Sequence, residues 1–253
     1  MYSLQEWELW VMSYELIPKI DAILAVRGAE YQAVCRGLKG ATTPTPPVVG
    51  IPMGSVAIRR ELPSLLEAKG LNPSRVVLMG LCGALQPQYE VGDVVACESC
   101  LYVPEAGLEG KVVQHYSRDV ALTEILAARL GDRVHCVNCL TRDRAVCSAA
   151  QKRHLGEQYR ADVVDMEGYG ILEILNQLDI TVAILRVVSD DAQHDIPDLN
   201  AAIDSDGTLR SRPLMRSFLR NPLAAVRFIR SSLRGLKALQ AVTRELFLGY
   251  TKL

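Results

Sequence analysis

The chain carries no strong excess of charge of either sign. Its 28 Lys and Arg face 29 Asp and Glu over 253 residues, so the molecule as a whole does not read as a nucleic-acid binder. It has no run of 18 apolar residues, which argues against a membrane span. Glu6 and Glu8 stand where a secretory leader would be basic, and no long apolar segment follows. The expected location is cytoplasmic, and the seven cysteines are then expected as thiols. There is no Gly-x-Ser-x-Gly elbow to support a Ser/His/Asp triad, no internal repeat and no low-complexity segment. The four histidines are scattered.

What is present is an ordinary globular composition, 49% hydrophobic and 23% charged, enough for one large domain or two small ones. The charge is unevenly distributed. From Leu209 onward there are ten Lys or Arg and a single acid, Glu245, giving about +9 against about -10 for the 18 basic and 28 acidic residues before it. The expected organisation is therefore a main domain over 1–208 and a basic amphipathic helical extension over 209–253.

Residues 1–20 show helical spacing of Trp7, Trp10, Val11 and Tyr14. Short apolar runs at 22–26, 48–51, 75–79, 93–96, 135–140, 161–166 and 181–188 read as strands. Helices are expected from about 55 to 66 and over 171–178, and the Thr- and Pro-rich stretch 41–47 reads as a loop. Strands that alternate with helices predict an α/β fold: three layers, α/β/α, around a mixed, largely parallel central sheet.

In such sheets ligands bind beyond the carboxyl ends of the strands, and three polar clusters fall there. Gly80-Leu81-Cys82-Gly83 reads as a strand-closing turn whose glycines bring backbone close to a ligand, or simply as a tight turn. Asp165-Met166-Glu167 offers a carboxylate able to accept a sugar diol, or an acid that suits a helix start. In Arg186-Val187-Val188-Ser189-Asp190 the arginine sits inside an apolar strand and requires a buried carboxylate. Asp190 there reads as a general acid at a strand end, or as a helix N-cap.

Together with Val91-Gly92-Asp93-Val94-Val95, these clusters resemble the purine nucleoside phosphorylase and methylthioadenosine nucleosidase superfamily over about residues 22–204. The resemblance implies that Glu167 holds the ribose hydroxyls, with Met166 beside it. Asp190 would protonate the base at N7. Gly80, Leu81, Cys82 and Gly83 would lie beside the ribose and the nucleophile. Glu30, within Gly28-Ala29-Glu30-Tyr31-Gln32-Ala33-Val34, resembles the acid that family hydrolases direct at water. Leu81 stands where many relatives have Ser or Thr, which leaves phosphate and water both open as nucleophile. Arg27 is a candidate phosphate contact, or an exposed charge at a strand end. Arg186, Ser189 and the apolar Val146 complete the candidate site.

A narrower likeness joins Thr141-Arg142-Asp143-Arg144-Ala145-Val146, Lys152 and the tail segments Arg220-Asn221-Pro222 and Arg227-Phe228-Ile229-Arg230. These are similar to the hopanoid-biosynthesis-associated phosphorylase-like proteins, which implies adenine release from adenosylhopane.

Cys97-x-x-Cys100 and Cys136-x-x-Cys139 have zinc-like spacing. In strands, however, positions i and i+3 point to opposite faces, so no metal is expected. No organic cofactor is expected either. His194 is a candidate pocket residue or an exposed one. Leu223, Val226, Ile229, Leu233, Leu236 and Leu239 form a helical stripe with Asn221 as cap and Pro222 at the first position. The stripe is expected to dock on the domain with a solvated basic face; contact with an anionic membrane, or a mouth for a lipid-like substrate, is the alternative. The expected function is N-glycosidic cleavage of a purine nucleoside by a homo-oligomer; the competing class is a non-catalytic nucleoside-binding or membrane-associated scaffold that keeps the fold.

Overall fold

The computed structural model describes residues 19–41, 45–104, 113–116, 120–204 and 206–248. The helix expected over 1–20 therefore lies almost wholly outside the described residues. The chain builds β1 (Ala22–Val26), α1 (Ala29–Gly37), β2 (Val48–Ile51), α2 (Ser55–Ala68), β3 (Arg75–Ala84), β4 (Val94–Tyr102), β5 (Val113–Tyr116), α3 (Val120–Leu130), β6 (Val134–Thr141), α4 (Ala149–Tyr159), β7 (Val163–Asp165), α5 (Gly168–Gln177), β8 (Thr181–Asp190), α6 (Ser211–Arg220) and α7 (Pro222–Leu248).

The eight strands form one mixed sheet in the order β2-β1-β3-β7-β6-β4-β5, and β8 pairs with both β3 and β4. Pairing is parallel for β1 with β2 and β3, for β3 with β8, and for β6 with β4 and β7; β3–β7, β4–β5 and β4–β8 are antiparallel. β3, β7, β6, β4 and β8 therefore close a ring, which gathers their ends around one point. Helices α1, α3 and α7 cover one face, and α2 and α5 cover the other. This is the three-layer α/β architecture. The central strands are buried over nearly their whole length because both faces are covered. All seven cysteines are free.

Four local expectations are corrected. Gly80-Leu81-Cys82-Gly83 is not a turn: β3 runs on to Ala84, because β8 pairs with it along its whole length, with one register shift between Cys82 and Gly83. Asp190 does not cap a helix but is the last residue of β8. Cys97 and Cys100 do not point to opposite faces. A register irregularity between Cys97 and Ser99 turns both toward Cys139, giving a buried thiol cluster, while Cys136 is exposed. Among the described residues no group of three or more His, Cys, Asp or Glu could hold a metal.

The fourth correction concerns α7. Asn221 caps it as expected, its Oδ1 accepting the Ala224 N–H at 3.2 Å. Only the end of the apolar stripe docks, however: Leu239 is buried, whereas Leu223 is 80% exposed and Leu233 54%. The first half of the helix turns Ala224, Ala225 and Gly235 inward instead. A Cβ on Gly235 would stand 3.3 Å from Leu81 Cδ2, from Ser189 Cα and from the Val188 carbonyl oxygen. The helix is thus seated directly on the end of β8.

Candidate active site

The ring of strands opens into a cleft of about 640 Å3, within the size range of small-molecule sites. Ten of the twelve candidate residues line it: Arg27, Glu30, Leu81, Cys82, Gly83, Val146, Met166, Glu167, Ser189 and Asp190. Gly80 and Arg186 stand behind the wall. Arg186 has no exposed surface and serves the carboxylates rather than the cleft.

Asp165 anchors the arrangement. Its Oδ1 accepts Thr141 Oγ1 at 2.7 Å, its Oδ2 accepts the Gly168 N–H at 2.9 Å, and it pairs with the Arg186 guanidinium. Arg186 Nη2 also reaches Glu167 Oε2 at 3.3 Å. The other oxygen of Glu167 accepts the Gly54 N–H at 3.0 Å. Gly54 precedes α2 with φ 85°, a conformation that favours glycine, and this aims its amide at the carboxylate. Each Glu167 oxygen keeps a lone pair free for a ligand hydroxyl.

Glu30 lies in the first turn of α1, and its Oε2 accepts the Leu81 N–H at 3.0 Å. A side chain at Gly80 would overlap both the Glu30 carboxylate and the Arg186 guanidinium, so glycine is what lets these groups meet across β3. One guanidinium thus faces three carboxylates, the buried Asp165 and Glu167 and the half-buried Glu30, and cannot neutralise all of them. Burial first, then the Glu167 charge, pushes the Glu30 carboxyl up to about 8. Glu167 is likewise raised by burial, against the pull of Arg186.

At the far end, Asp190 Oδ2 pairs with Lys152 Nζ, and Lys152 also donates to the Asp191 carbonyl at 2.8 Å. Ser189 Oγ lies 2.7 Å from Asp190 Oδ1 and 3.1 Å from the Cys82 carbonyl, so its single proton serves one of them at a time. Gly83 leaves room for this carboxylate; a Cβ there would come within 2.8 Å of Asp190 Oδ2.

Arg27 is engaged elsewhere. Its Nε donates to the Gly50 carbonyl at 3.1 Å and its Nη1 pairs with Glu61 at 3.2 Å. His194 is exposed, with Nδ1 3.0 Å from Asp191, and does not line the cleft.

Lys152, Asp165 and Gly54 were not singled out as site residues from the sequence. Lys152 has no exposed surface. Its signal was a lysine on the buried face of α4, among Ala149, Leu155 and Gly156. Asp165 was the carboxylate that Arg186 required. Gly54 lies 113 residues from Glu167, and no local pattern announces it. The tail also contributes to the site: Leu209, Leu214, Phe228, Ser232 and Leu236 line the cleft.

The sequence profile described as the phosphorylase superfamily matches residues 28–213. No curated protein matches the chain. Solved structures of similar fold include the 5'-methylthioadenosine/S-adenosyl homocysteine nucleosidases of Helicobacter pylori and Campylobacter jejuni. The first is 16% identical at a TM-score of 0.59, over 89% of this chain and 97% of that one. The second is 18% identical at 0.58, over 90% and 99%. Futalosine hydrolase of Helicobacter pylori is also similar, 16% identical at 0.58, over 90% and 98%.

Proposed function

The chain belongs to the phosphorylase superfamily and is an enzyme of glycosidic-bond cleavage, and from that premise we propose that it releases the base from an adenosine-type purine nucleoside. The observation that carries this reading is one cleft lined by Asp190, Glu167 and Glu30 at different positions on its wall. Residues 1–208 act as the catalytic domain, and the extension from 209 onward walls its cleft through Leu209, Leu214, Phe228 and Leu236.

The electron pair of the bond between the ribose carbon and the base nitrogen leaves with the base. Asp190 delivers the proton that N7 takes up, so that the departing purine is neutral. Lys152 holds the Asp190 carboxylate through Oδ2 and supplies a positive partner when the proton has gone. Glu167 accepts the ribose hydroxyls and fixes the sugar while positive charge develops on it.

Water is favoured over phosphate as the nucleophile. Leu81 offers no hydroxyl, Arg27 is tied to Glu61 and Gly50, and an acid, Glu30, stands in the cleft. Ionised Glu30 takes a proton from the attacking water, whose oxygen forms the new bond to the anomeric carbon.

The finer reading is adenine release from adenosylhopane. What supports it is the apolar wall that Leu209, Leu214, Phe228 and Leu236 add to the cleft, suited to a large apolar 5' substituent. A homo-oligomer and peripheral membrane contact belong to the same reading. The test is release of free base from a panel of nucleosides with and without phosphate. Base release that does not depend on phosphate is expected. No release from any nucleoside would remove the reading, and strict dependence on phosphate would make the enzyme a phosphorylase.

A further inference from the structure

The outward side of α6 and α7 takes no part in the chemistry above. Met215, Leu219, Leu223, Val226, Ile229 and Leu233 are 42–80% exposed, and with Leu209 they make up seven of the nine large apolar side chains exposed among the described residues. Scattered apolar residues need no explanation, but such a concentration does. Arg212, Arg216, Arg220, Arg227, Arg230 and Arg234 stand exposed between them, and no acid occurs from 209 to 244. A helix that merely faced water would be polar on that side.

We propose that this face docks on the surface of an anionic lipid bilayer, with the apolar side chains in the interfacial layer and the guanidinium groups at the headgroups. The charge pattern is what selects lipid. Apolar and cationic residues are neighbours at one-turn spacing on the outward side of α7, Leu223 with Arg227, Val226 with Arg230, and Arg230 with Leu233, so the apolar side chains adjoin cations. A protein partner would need an acid for each arginine and a pocket for each leucine at fixed positions. A bilayer offers negative charge and apolar depth over the whole contact. The attachment is peripheral, since no described helix is long and apolar enough to cross a membrane.

The same two helices line the cleft from the inside through Leu214, Phe228 and Leu236, and a ring contact between Phe218 and Phe228 joins them. Leu209 belongs to both surfaces, lining the cleft while remaining 48% exposed. The apolar path therefore continues from the cleft to the docking face. On the reading of the previous subsection, a nucleoside whose 5' body is dissolved in lipid could reach Asp190 without that body crossing water.

The test uses the full chain, sedimented with vesicles of phosphatidylcholine alone and of phosphatidylcholine with phosphatidylglycerol, at low and high salt. Binding is expected on the anionic vesicles only, weakened about tenfold or more by high salt. The outward pairs Leu223→Gln with Leu233→Gln, and Arg227→Gln with Arg230→Gln, should each reduce it about tenfold. Base release from a water-soluble nucleoside should stay unchanged in both. Absence from the anionic pellet, or equal binding to neutral vesicles that ignores salt and both variants, overturns the proposal. So does a stable oligomer that the leucine variants dissociate, because the face would then be a subunit interface. Vesicle binding by a protein that releases no base would leave the docking face standing and remove the proposed reaction; base release without vesicle binding would do the reverse.

Discussion

At the scale of single residues, the site is governed by a shortage of positive charge. Arg186 is the one cation among Glu30, Asp165 and Glu167, and the two hydrogen bonds that Asp165 accepts from Thr141 and Gly168 keep it nearest the guanidinium. The remaining acids are held toward their neutral forms. Glu30 ionises near 8 when folded and near 4.5 when unperturbed. Between those values the folded chain carries a proton that the unfolded chain has lost, so this group's contribution to stability falls as pH rises through that window. Glu30→Gln has no such loss. Its thermal stability relative to the parent should improve from pH 5 to pH 8, as melting curves at the two values would show. If Glu30 deprotonates the attacking water, hydrolysis by the parent should increase toward pH 8 and the Gln variant should lose that increase.

Asp190 and Lys152 act on the leaving group. Asp190→Asn should lower turnover of a purine nucleoside by about 10²-fold or more while binding persists. Lys152→Met should lower it by a comparable order, with partial recovery in Lys152→Arg. Both variants should keep most of their turnover on nitrophenyl riboside, whose leaving group needs no proton. Equal losses on both substrates would mean that the pair only maintains the fold. For Glu167, a 2'-deoxy substrate leaves one buried acceptor unsatisfied, a penalty of about 1–3 kcal/mol in kcat/KM. Equal efficiency on ribo and deoxy substrates would remove Glu167 from sugar binding.

At the scale of elements, glycine decides how closely strands and helices approach. Gly235 seats α7 on Val188 and Ser189, one residue from Asp190. In the helix alone, replacing it by Ala would gain about 1 kcal/mol of helix propensity. The added methyl would meet backbone at 3.3 Å, tight enough to offset much of that gain. A branched side chain has no such space. Gly235→Val should cost about 1–3 kcal/mol of stability and, by moving the end of β8, reduce turnover as well. Denaturant unfolding and steady-state rates on the same preparation check both. A stable, fully active Val variant would mean that α7 sits more loosely than this packing implies.

At the scale of the whole molecule, the basic tail and the catalytic domain share one cleft. The substrate should therefore be chosen partly by its 5' end. Competition between adenosine and an adenosine carrying a long alkyl 5' substituent should favour the alkyl compound by a factor of ten or more, since burying each methylene is worth about 0.8 kcal/mol. Phe228→Ala with Leu236→Ala should abolish that preference, because both side chains line the cleft. A preference for unsubstituted adenosine in the intact enzyme would reduce these side chains to ordinary packing.

The sequence by itself determined the alternation of strands and helices, the boundaries of β1 and β2, the requirement of Arg186 for a buried carboxylate, and the Asn221 cap of α7. Each is a local or periodic property, and periodicity in the chain becomes periodicity in space. Only the tertiary structure decided the extension of β3 through Gly83, the turning of Cys97 and Cys100 to one side, the pairing of Lys152 with Asp190, and the outward face of α7. These depend on a neighbouring strand imposing its register, or on groups dozens of residues apart competing for the same space. The stripe on α7 illustrates the difference. Its hydrophobic pattern was legible, but which side would face the domain depended on the small residues Ala224, Ala225 and Gly235, which are turned inward, Gly235 against the end of β8.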